Sequence, residues 1–300
     1  MKQAILITAY KNFDHLIDIV TFFDNDFELF IHIDKKIKVE KHIIDKIKDI
    51  DNIKFLSRKY NINWGGLNHL KSYLLLAKEA LKNQENKYFH LISGQDFPVK
   101  DLSYFKNFLN APKLYDHLEF FEIPSKTWEN QNGGLDRLEY YNFFDLIDAK
   151  KYIKWLWRLV RIQKKLHLKR RISRRIGKLY GGFTWWSLTR NTLQYVIDYT
   201  REKPYLINRM KHTFCSEEMY FQTIIMNSDF SKNVVNDNLR YIDWDPDRVG
   251  KDSPSPALLD ITDFEKINKS NKLFARKFDI PVSDKLKSLI QKQNNPKNIL

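Results

Sequence analysis

The sequence predicts an α/β fold on a mostly parallel, doubly wound sheet, with a mixed second half in the same domain. Three observations carry that prediction. Short apolar runs rich in β-formers alternate with amphipathic stretches through the first hundred residues, the pattern of β-α-β crossovers. The clearest helix, 67–81, keeps Leu67, Leu70, Tyr73, Leu74, Ala77, Ala80 and Leu81 on one stripe. A strand-like run from Tyr88 to Ile92 stops on Ser93-Gly94-Gln95-Asp96, and ligands of open α/β sheets gather where strands end.

The elements follow in order. Residues 4–9 read as the first strand and 14–22 as a short helix with Asp14 its candidate cap. A second strand, 27–33, runs into His32-Ile33-Asp34-Lys35-Lys36, followed by a helix over 41–48 and a strand over 53–56. After the strand that delivers Asp96, Asp101 caps a helix over 102–109. In the second half a strand is expected over 118–123, and loop-like, aromatic sequence over 124–149 offers no decodable chemistry. A glycine turn then feeds an aromatic strand, Gly181 to Leu188, before helices over 191–200 and 217–226. A strand over 239–244, an edge strand over 273–279 and a polar helix around 284–291 complete the chain. There are no internal repeats and no separable domain boundary.

Three hundred residues with 43% hydrophobic and 14% aromatic content can bury a large core. The chain opens directly on strand-like residues, so no signal peptide is expected, and no apolar run approaches the roughly 18–20 residues a bilayer span needs. Cys215 is the sole cysteine, which rules out an internal disulfide framework and fits a reducing compartment. The expected setting is the cytoplasm of a bacterium, with the inner membrane face as a peripheral site.

The net charge of +14 is concentrated. Between Lys150 and Lys178 stand 13 Lys/Arg and no Asp or Glu, leaving 38 basic against 37 acidic residues elsewhere. Trp155, Trp157, Leu159, Ile162 and other apolar residues interleave with those charges. Such an element can lie on an anionic membrane, bind nucleic acid, or cover the core with its charges solvated.

No Walker loop, GxGxxG, CxxC or HExxH motif occurs, and the eight histidines show no metal-ligand spacing. Asp243-Trp244-Asp245-Pro246-Asp247 contains a formal Asp-x-Asp, read as a solvated or capping turn because Pro246 restricts the backbone. Glu217 and Glu218 open an aromatic helix with Ser216 as its expected N-cap. First-turn carboxylates usually just complement the helix dipole, but one flanked by aromatics at a cleft suits a general base. Arg276-Lys277 usually means a surface pair, yet strand alternation puts Arg276 on the face of Phe274 and Phe278. A guanidinium buried there wants an anion.

Seven pieces, in order, resemble the core-2/I-branching β-1,6-N-acetylglucosaminyltransferase family (glycosyltransferase family 14), which includes the peptide O-xylosyltransferases. They are His32-Ile33-Asp34-Lys35-Lys36; Trp64-Gly65-Gly66; Leu91 through Pro98; Gly181-Gly182 through Trp186 with Arg190; Ser216-Glu217-Glu218 with Phe221; Asn238 through Trp244; and Leu273 through Asp279. The resemblance covers roughly residues 3–280 and implies a GT-A-type glycosyltransferase domain over 1–280. Its nucleotide-sugar half would be about 1–115 and its acceptor and catalytic half about 116–280, followed by a C-terminal helix and tail over 281–300.

The resemblance further implies inversion at the anomeric carbon without a metal or other cofactor. Glu218 matches the family's catalytic base, and Lys277 with Arg276 would neutralise the diphosphate of a UDP-sugar. Asp96 would contact the donor, Asp34 would read the uridine side, and Trp64 and Gly65 would form a donor-side loop. Trp185, Trp186 and Tyr220 are candidate platforms for the acceptor glycan. The expected donor sugar is GlcNAc, with xylose second, and the acceptor a glycan hydroxyl, in lipid-linked form if the 150–178 element docks on membrane. That element has no counterpart in the family, and animal members carry an anchor, stem and disulfides not expected here. No nucleic acid is expected as a partner. A nucleic-acid-binding protein and a non-catalytic carbohydrate-binding relative remain the alternatives.

Overall fold

The computed structural model describes residues 1–249 and 255–294; the tail expected after 294 lies outside the described residues. From the N-terminus, β1 (Lys2–Ala9), α1 (Phe13–Phe22), β2 (Phe27–Ile33), α2 (Lys41–Lys48), β3 (Ile53–Ser57) and α3 (Leu67–Ala80) alternate as the sequence predicts. Next come β4 (Asn86–Ser93), β5 (Asp96–Pro98), α4 (Leu102–Phe108), β6 (Asp116–Leu118) and β7 (Phe121–Ile123). A 3-10 segment, Lys126–Gly134, leads into α5 (Leu135–Glu139) and α6 (Ala149–Lys165). The second half continues with β8 (Leu179–Gly181), β9 (Trp186–Thr189), α7 (Arg190–Glu202), α8 (Tyr205–Met210), the 3-10 turn Ser216–Glu218 and α9 (Tyr220–Met226). Last are β10 (Val234–Val235), β11 (Arg240–Ile242), α10 (Pro246–Val249), α11 (Phe264–Lys269), β12 (Phe274–Arg276) and α12 (Asp284–Asn294).

The main sheet has the order β10-β6-β9-β4-β1-β2-β3. Strands β3, β2, β1 and β4 run parallel, whereas β9 is antiparallel to both β4 and β6. This is the expected α/β architecture, with a parallel first half and a mixed second half. Alternation divides the core: Ala4 and Leu6 of β1 face α3, α7 and α9, while Ile5, Ile7 and Ala9 face α1, α12 and the small sheet. A buried strand with helices on both faces has no polar side, which is why β1 and β2 read as mostly apolar runs, broken after Lys2 only by Gln3, Thr8, Glu28 and His32.

The structure corrects several local expectations. Helix α1 starts from Asn12 in the left-handed region, whose side chain donates to Asp279 at 2.6 Å, so Asp14 lies in the first turn instead of capping it. The strand expected over 118–123 is two strands: Asn236 bonds both the N–H and the C=O of Phe120, and the chain leaves the main sheet there. Strand β12 is not an edge. It lies between β11 and β5 in a three-stranded sheet. The helix expected over 217–226 is interrupted at Met219, and its opening turn is set by the left-handed Cys215, not by Ser216, whose hydroxyl is buried without a partner. The basic element is helical only to Lys165.

Arg240 fastens the two sheets. Its buried guanidinium donates to the carbonyls of Leu91 (2.8 Å) and Trp186 (3.0 Å), to Ser187 Oγ (2.7 Å) and to the Asn238 carbonyl. Burial lowers its pKa to about 10, so it remains charged at neutral pH. Arg240→Met strands these acceptors without donors, and an expected loss on the order of 3 kcal/mol should appear as a lower urea midpoint. An unchanged midpoint would show that the two sheets do not depend on this contact.

Candidate active site

The first cluster follows from strand pairing. Antiparallel register sets Arg276 of β12 opposite Asp96 of β5. Asp96 is fully buried, and its Oδ2 accepts from the Ser93 N–H (2.5 Å) and Oγ (2.6 Å). Its Oδ1 faces Arg276 Nη1 at 3.5 Å, and neither atom has a hydrogen-bond partner among the described residues. The guanidinium also lies 4.2 Å from the ring centre of Trp185. Two unpaired polar atoms of opposite charge are therefore held in place at a strand end, suited to a ligand group that both accepts and donates.

Lys277 follows across a cis peptide and donates to Ser255 Oγ at 2.9 Å. Burial pulls its pKa down, and the neighbouring cations Arg276 and Lys11 pull the same way, with Asp279 and Asp96 opposing. An ammonium in that position gains most from an added anion. Tyr10 donates to Gln95 Oε1 at 2.7 Å, and Gln95 in turn accepts the Phe278 N–H through its carbonyl, tying β1's end to this cluster.

The second cluster is carried by residues 214–218. Gly65 has φ +75°, and a side chain there would meet the Phe214 ring, so this turn requires glycine. Its carbonyl accepts the Cys215 N–H at 3.0 Å, and Trp64 packs edge-on against Phe214 and Phe144 while remaining 41% exposed. Asp34 sets the adjacent loop, accepting the Ile62 N–H (3.0 Å) and the Lys36 N–H (3.1 Å). Consecutive glutamates then diverge. Glu217 turns inward to His69 Nδ1 at 3.2 Å, and His69 Nε2 bonds the Tyr73 hydroxyl at 2.8 Å. Glu218 turns outward and accepts from Arg137 Nη1 at 2.5 Å.

Arg137 is itself held. Its guanidinium stacks 3.5 Å from the Trp128 ring centre, and its Nε donates to Gln131. Burial pushes the Glu218 carboxyl up, Arg137 pulls it back and Glu217 adds to the rise. The Glu218 side chain is 26% exposed, so water moderates that rise. The Tyr73 hydroxyl, pushed well up by burial, feels Glu217, Arg276, Asp96 and Glu218 together. The same phenol links the two clusters, its hydroxyl through His69 to Glu217 and its ring, 6.4 Å from that of Trp185, to the indole that backs Arg276.

A cavity of about 350 Å³ opens beside them, lined by Glu119, Phe183, Asn238, Arg240, Trp244 and Lys272 among others. Trp244 stacks on Phe183 with ring centres 5.6 Å apart. Gly182, next to Phe183, donates to the Glu218 carbonyl at 2.9 Å, and a side chain on it would overlap the Glu119 carbonyl. Burial pushes the Glu119 carboxyl up to about 7, with Asp237 adding and Lys272 opposing.

All three expected acceptor platforms need correction. Trp186 and Tyr220 are fully buried, Trp186 against Phe221, because β9 and α9 turn these rings into the main core. Trp185 backs Arg276 instead of facing open solvent. Two ring pairs do line cavities: Phe183 with Trp244, and Trp157 with Phe214 beside Arg137. Arg137, Trp128 and His69 carried no sequence signal of their own and Tyr73 only that of a core stripe, since Arg137 and His69 meet Glu218 and Glu217 only through tertiary contacts, with Trp128 and Tyr73 touching Arg137 and His69 in turn. Trp244 stood inside the Asp243–Asp247 run, read as a solvated or capping turn, and at the end of a family-like piece, but not as a sugar platform. There Asp243 binds Arg248 at 2.5 Å and Asp245 accepts the Asp247 N–H at 3.0 Å.

Comparison with known proteins agrees with the resemblance. Xylosyltransferase 1 of Mus musculus is 24% identical over 245 residues, covering 79% of this chain and 23% of that protein. Xylosyltransferase 2 of Canis lupus familiaris is 24% identical over 280 residues, covering 87% and 30%. The chain thus spans about a quarter of the length of the first curated relatives it matches. Among solved structures, the apo form of mouse xyloside xylosyltransferase 1 aligns over 94% of this chain and 99% of that one, at 10% identity and a TM-score of 0.36, too low to speak to function. The profile of the Core-2/I-Branching enzyme family matches residues 4–268, a range that takes in six of the seven ordered pieces and stops short of Leu273 through Asp279, and the chain belongs to that family.

Proposed function

We propose that this chain is an inverting GT-A-type glycosyltransferase that moves a sugar from a UDP donor to a glycan hydroxyl. GlcNAc is the first candidate sugar and xylose the second; the xylosyltransferase relatives favour keeping both. The observation that carries the reading is that Tyr73 links two clusters: its hydroxyl bonds His69, which holds Glu217 next to the Glu218–Arg137 pair, and its ring packs near Trp185, which backs Arg276 and Asp96. Glu218 takes the proton of the acceptor hydroxyl as that oxygen attacks the anomeric carbon. Arg137 keeps the carboxylate aimed and ionised. As the bond to UDP breaks, charge grows on the diphosphate, and Lys277 with Arg276 neutralises it from fixed positions. Asp96 orients Arg276 and offers Oδ1 to the donor. Asp34, Trp64 and Gly65 shape the loop assigned to the uridine side, and the Phe183–Trp244 pair offers an apolar face to the acceptor sugar.

In this reading the reaction needs no divalent cation and no cofactor. One Asp96 oxygen is used by Ser93 and the other faces a guanidinium, so a metal bound there would sit against a fixed positive charge. A panel of UDP-sugars, screened for donor hydrolysis and thermal stabilisation with excess EDTA present, tests this directly. UDP-GlcNAc or UDP-xylose should be turned over at an undiminished rate, and Asp245→Ala should change that rate by less than about twofold. A strict Mn²⁺ requirement would overturn the metal-free mechanism, and failure of every UDP-sugar to bind would overturn the transferase reading.

A further inference from the structure

Helix α6 has three faces. Leu156, Val160 and Gln163 are buried, and Trp157 packs from the helix onto Phe144 and Phe214 beneath it. A second face is basic. Of the 13 basic residues between Lys150 and Lys178, Lys164, Lys169 and Lys178 pair with Asp136, Glu139 and Glu122, and Arg170 bonds three backbone carbonyls. The nine others have no ion pair among the described residues, and six of them, Lys150, Lys151, Lys154, Arg158, Arg161 and Lys165, lie on α6 itself. The third face is apolar and lies in water. Trp155, Leu159 and Ile162 follow at spacings of four and three on one stripe, Leu159 half-buried, with Tyr152 at a break in the helix before them and Leu166 at the C-cap after them. Trp155 is 58% exposed and Leu166 61%, and Leu168 extends the patch.

We infer that this face seats α6 in the interface of an anionic lipid bilayer. A solvated helix does not need large apolar side chains on its outer stripe, and those here line up beside unpaired cations. Phosphate-rich nucleic acid would match the charge but leave Trp155, Ile162 and Leu166 in water. A second copy would bring two strongly basic faces together. An anionic bilayer satisfies both faces at once: headgroups take the lysines and arginines, and the acyl boundary takes the stripe. At the helix start, Lys150 lies 5.5 Å from the Tyr10 ring, whose hydroxyl bonds Gln95 beside Asp96. Seating α6 would therefore bring the mouth of the cleft close to the membrane surface.

Sedimentation with vesicles of phosphatidylglycerol and phosphatidylcholine, against phosphatidylcholine alone, tests this with the full chain. The protein should pellet with the anionic vesicles and not the neutral ones. Trp155→Glu with Ile162→Glu should lower the bound fraction about tenfold at low salt, while urea midpoint and UDP binding stay unchanged, since neither residue is buried or near the cleft. Lys151→Gln with Arg158→Gln should remove the salt-sensitive part. Equal binding to both vesicle types, or undiminished binding by the stripe variant, would overturn the inference. Tight binding to duplex or single-stranded nucleic acid that the stripe variant retains would replace it with polyanion binding.

Discussion

Glu218→Gln is expected to lower turnover by about 10²–10⁴-fold while leaving UDP affinity within a few-fold of the parent. The amide keeps the shape and the contact with Arg137 but cannot accept the acceptor's proton. Steady-state kinetics with calorimetric UDP binding separates the two effects, and a variant with more than a tenth of parental turnover would end Glu218's role as base. The pH profile sharpens the test. A base works only when ionised, so kcat/KM must fall as pH drops through its pKa. Burial raises that pKa above the ordinary carboxylate range and Arg137 lowers it. The acidic limb should therefore stand above where a solvated glutamate would place it, and Arg137→Met should move it higher still. A limb that does not move in Arg137→Met would mean that another group titrates.

Lys277→Ala is the second large effect. Preorganised charges at a leaving group are worth roughly 10²–10³ in rate, and this one also binds the ground-state diphosphate. Both kcat and UDP affinity should fall, and the affinity loss is read by calorimetry in the same buffer. The lysine's lowered pKa adds a sign: as pH rises, it loses its proton earlier than a solvated lysine, so UDP affinity should decline at a lower alkaline pH than usual. UDP binding in that range should take up a proton, detectable as a buffer-dependent enthalpy. Arg276→Ala should differ in kind. It leaves Asp96 buried without its cation, so it should also lower the urea midpoint, whereas Lys277→Ala should not. UDP affinity unchanged in Lys277→Ala would remove the lysine from the donor site.

The parallel half of the fold was readable because each of its strands and helices announces itself locally. β1 and β2 are apolar runs, and α3 carries its stripe in the order of the residues. In the second half, local pattern misleads. The 118–123 run looks like one strand, but Asn236, more than a hundred residues away, ends it at Phe120. Ser216 looks like a cap, but the conformation of Cys215 is set by its bond to Gly65 and the packing of Phe214. These contacts join parts of the chain that no window of sequence compares.

The candidate site divides along the same line. The residue types and their order placed Asp96, Glu217, Glu218 and Arg276 among the groups to watch, the family resemblance added Asp34 and the role of Lys277, and the bunching of basic residues in 150–178 needed only counting. What each group does depends on its neighbours in space. Adjacent glutamates are nearly equivalent in the chain, yet one is locked to His69 and the other offered to the cleft beside Arg137. Trp185 and Trp186 are also adjacent, yet one backs a guanidinium and the other fills the core. Sequence alone determined which chemical groups the protein owns and the parallel scaffold that carries the first of them. Only the tertiary structure decided which carboxylate is desolvated, which cation faces it and which aromatic ring meets water, because burial and electrostatic partnership are set by distances between segments far apart in the chain.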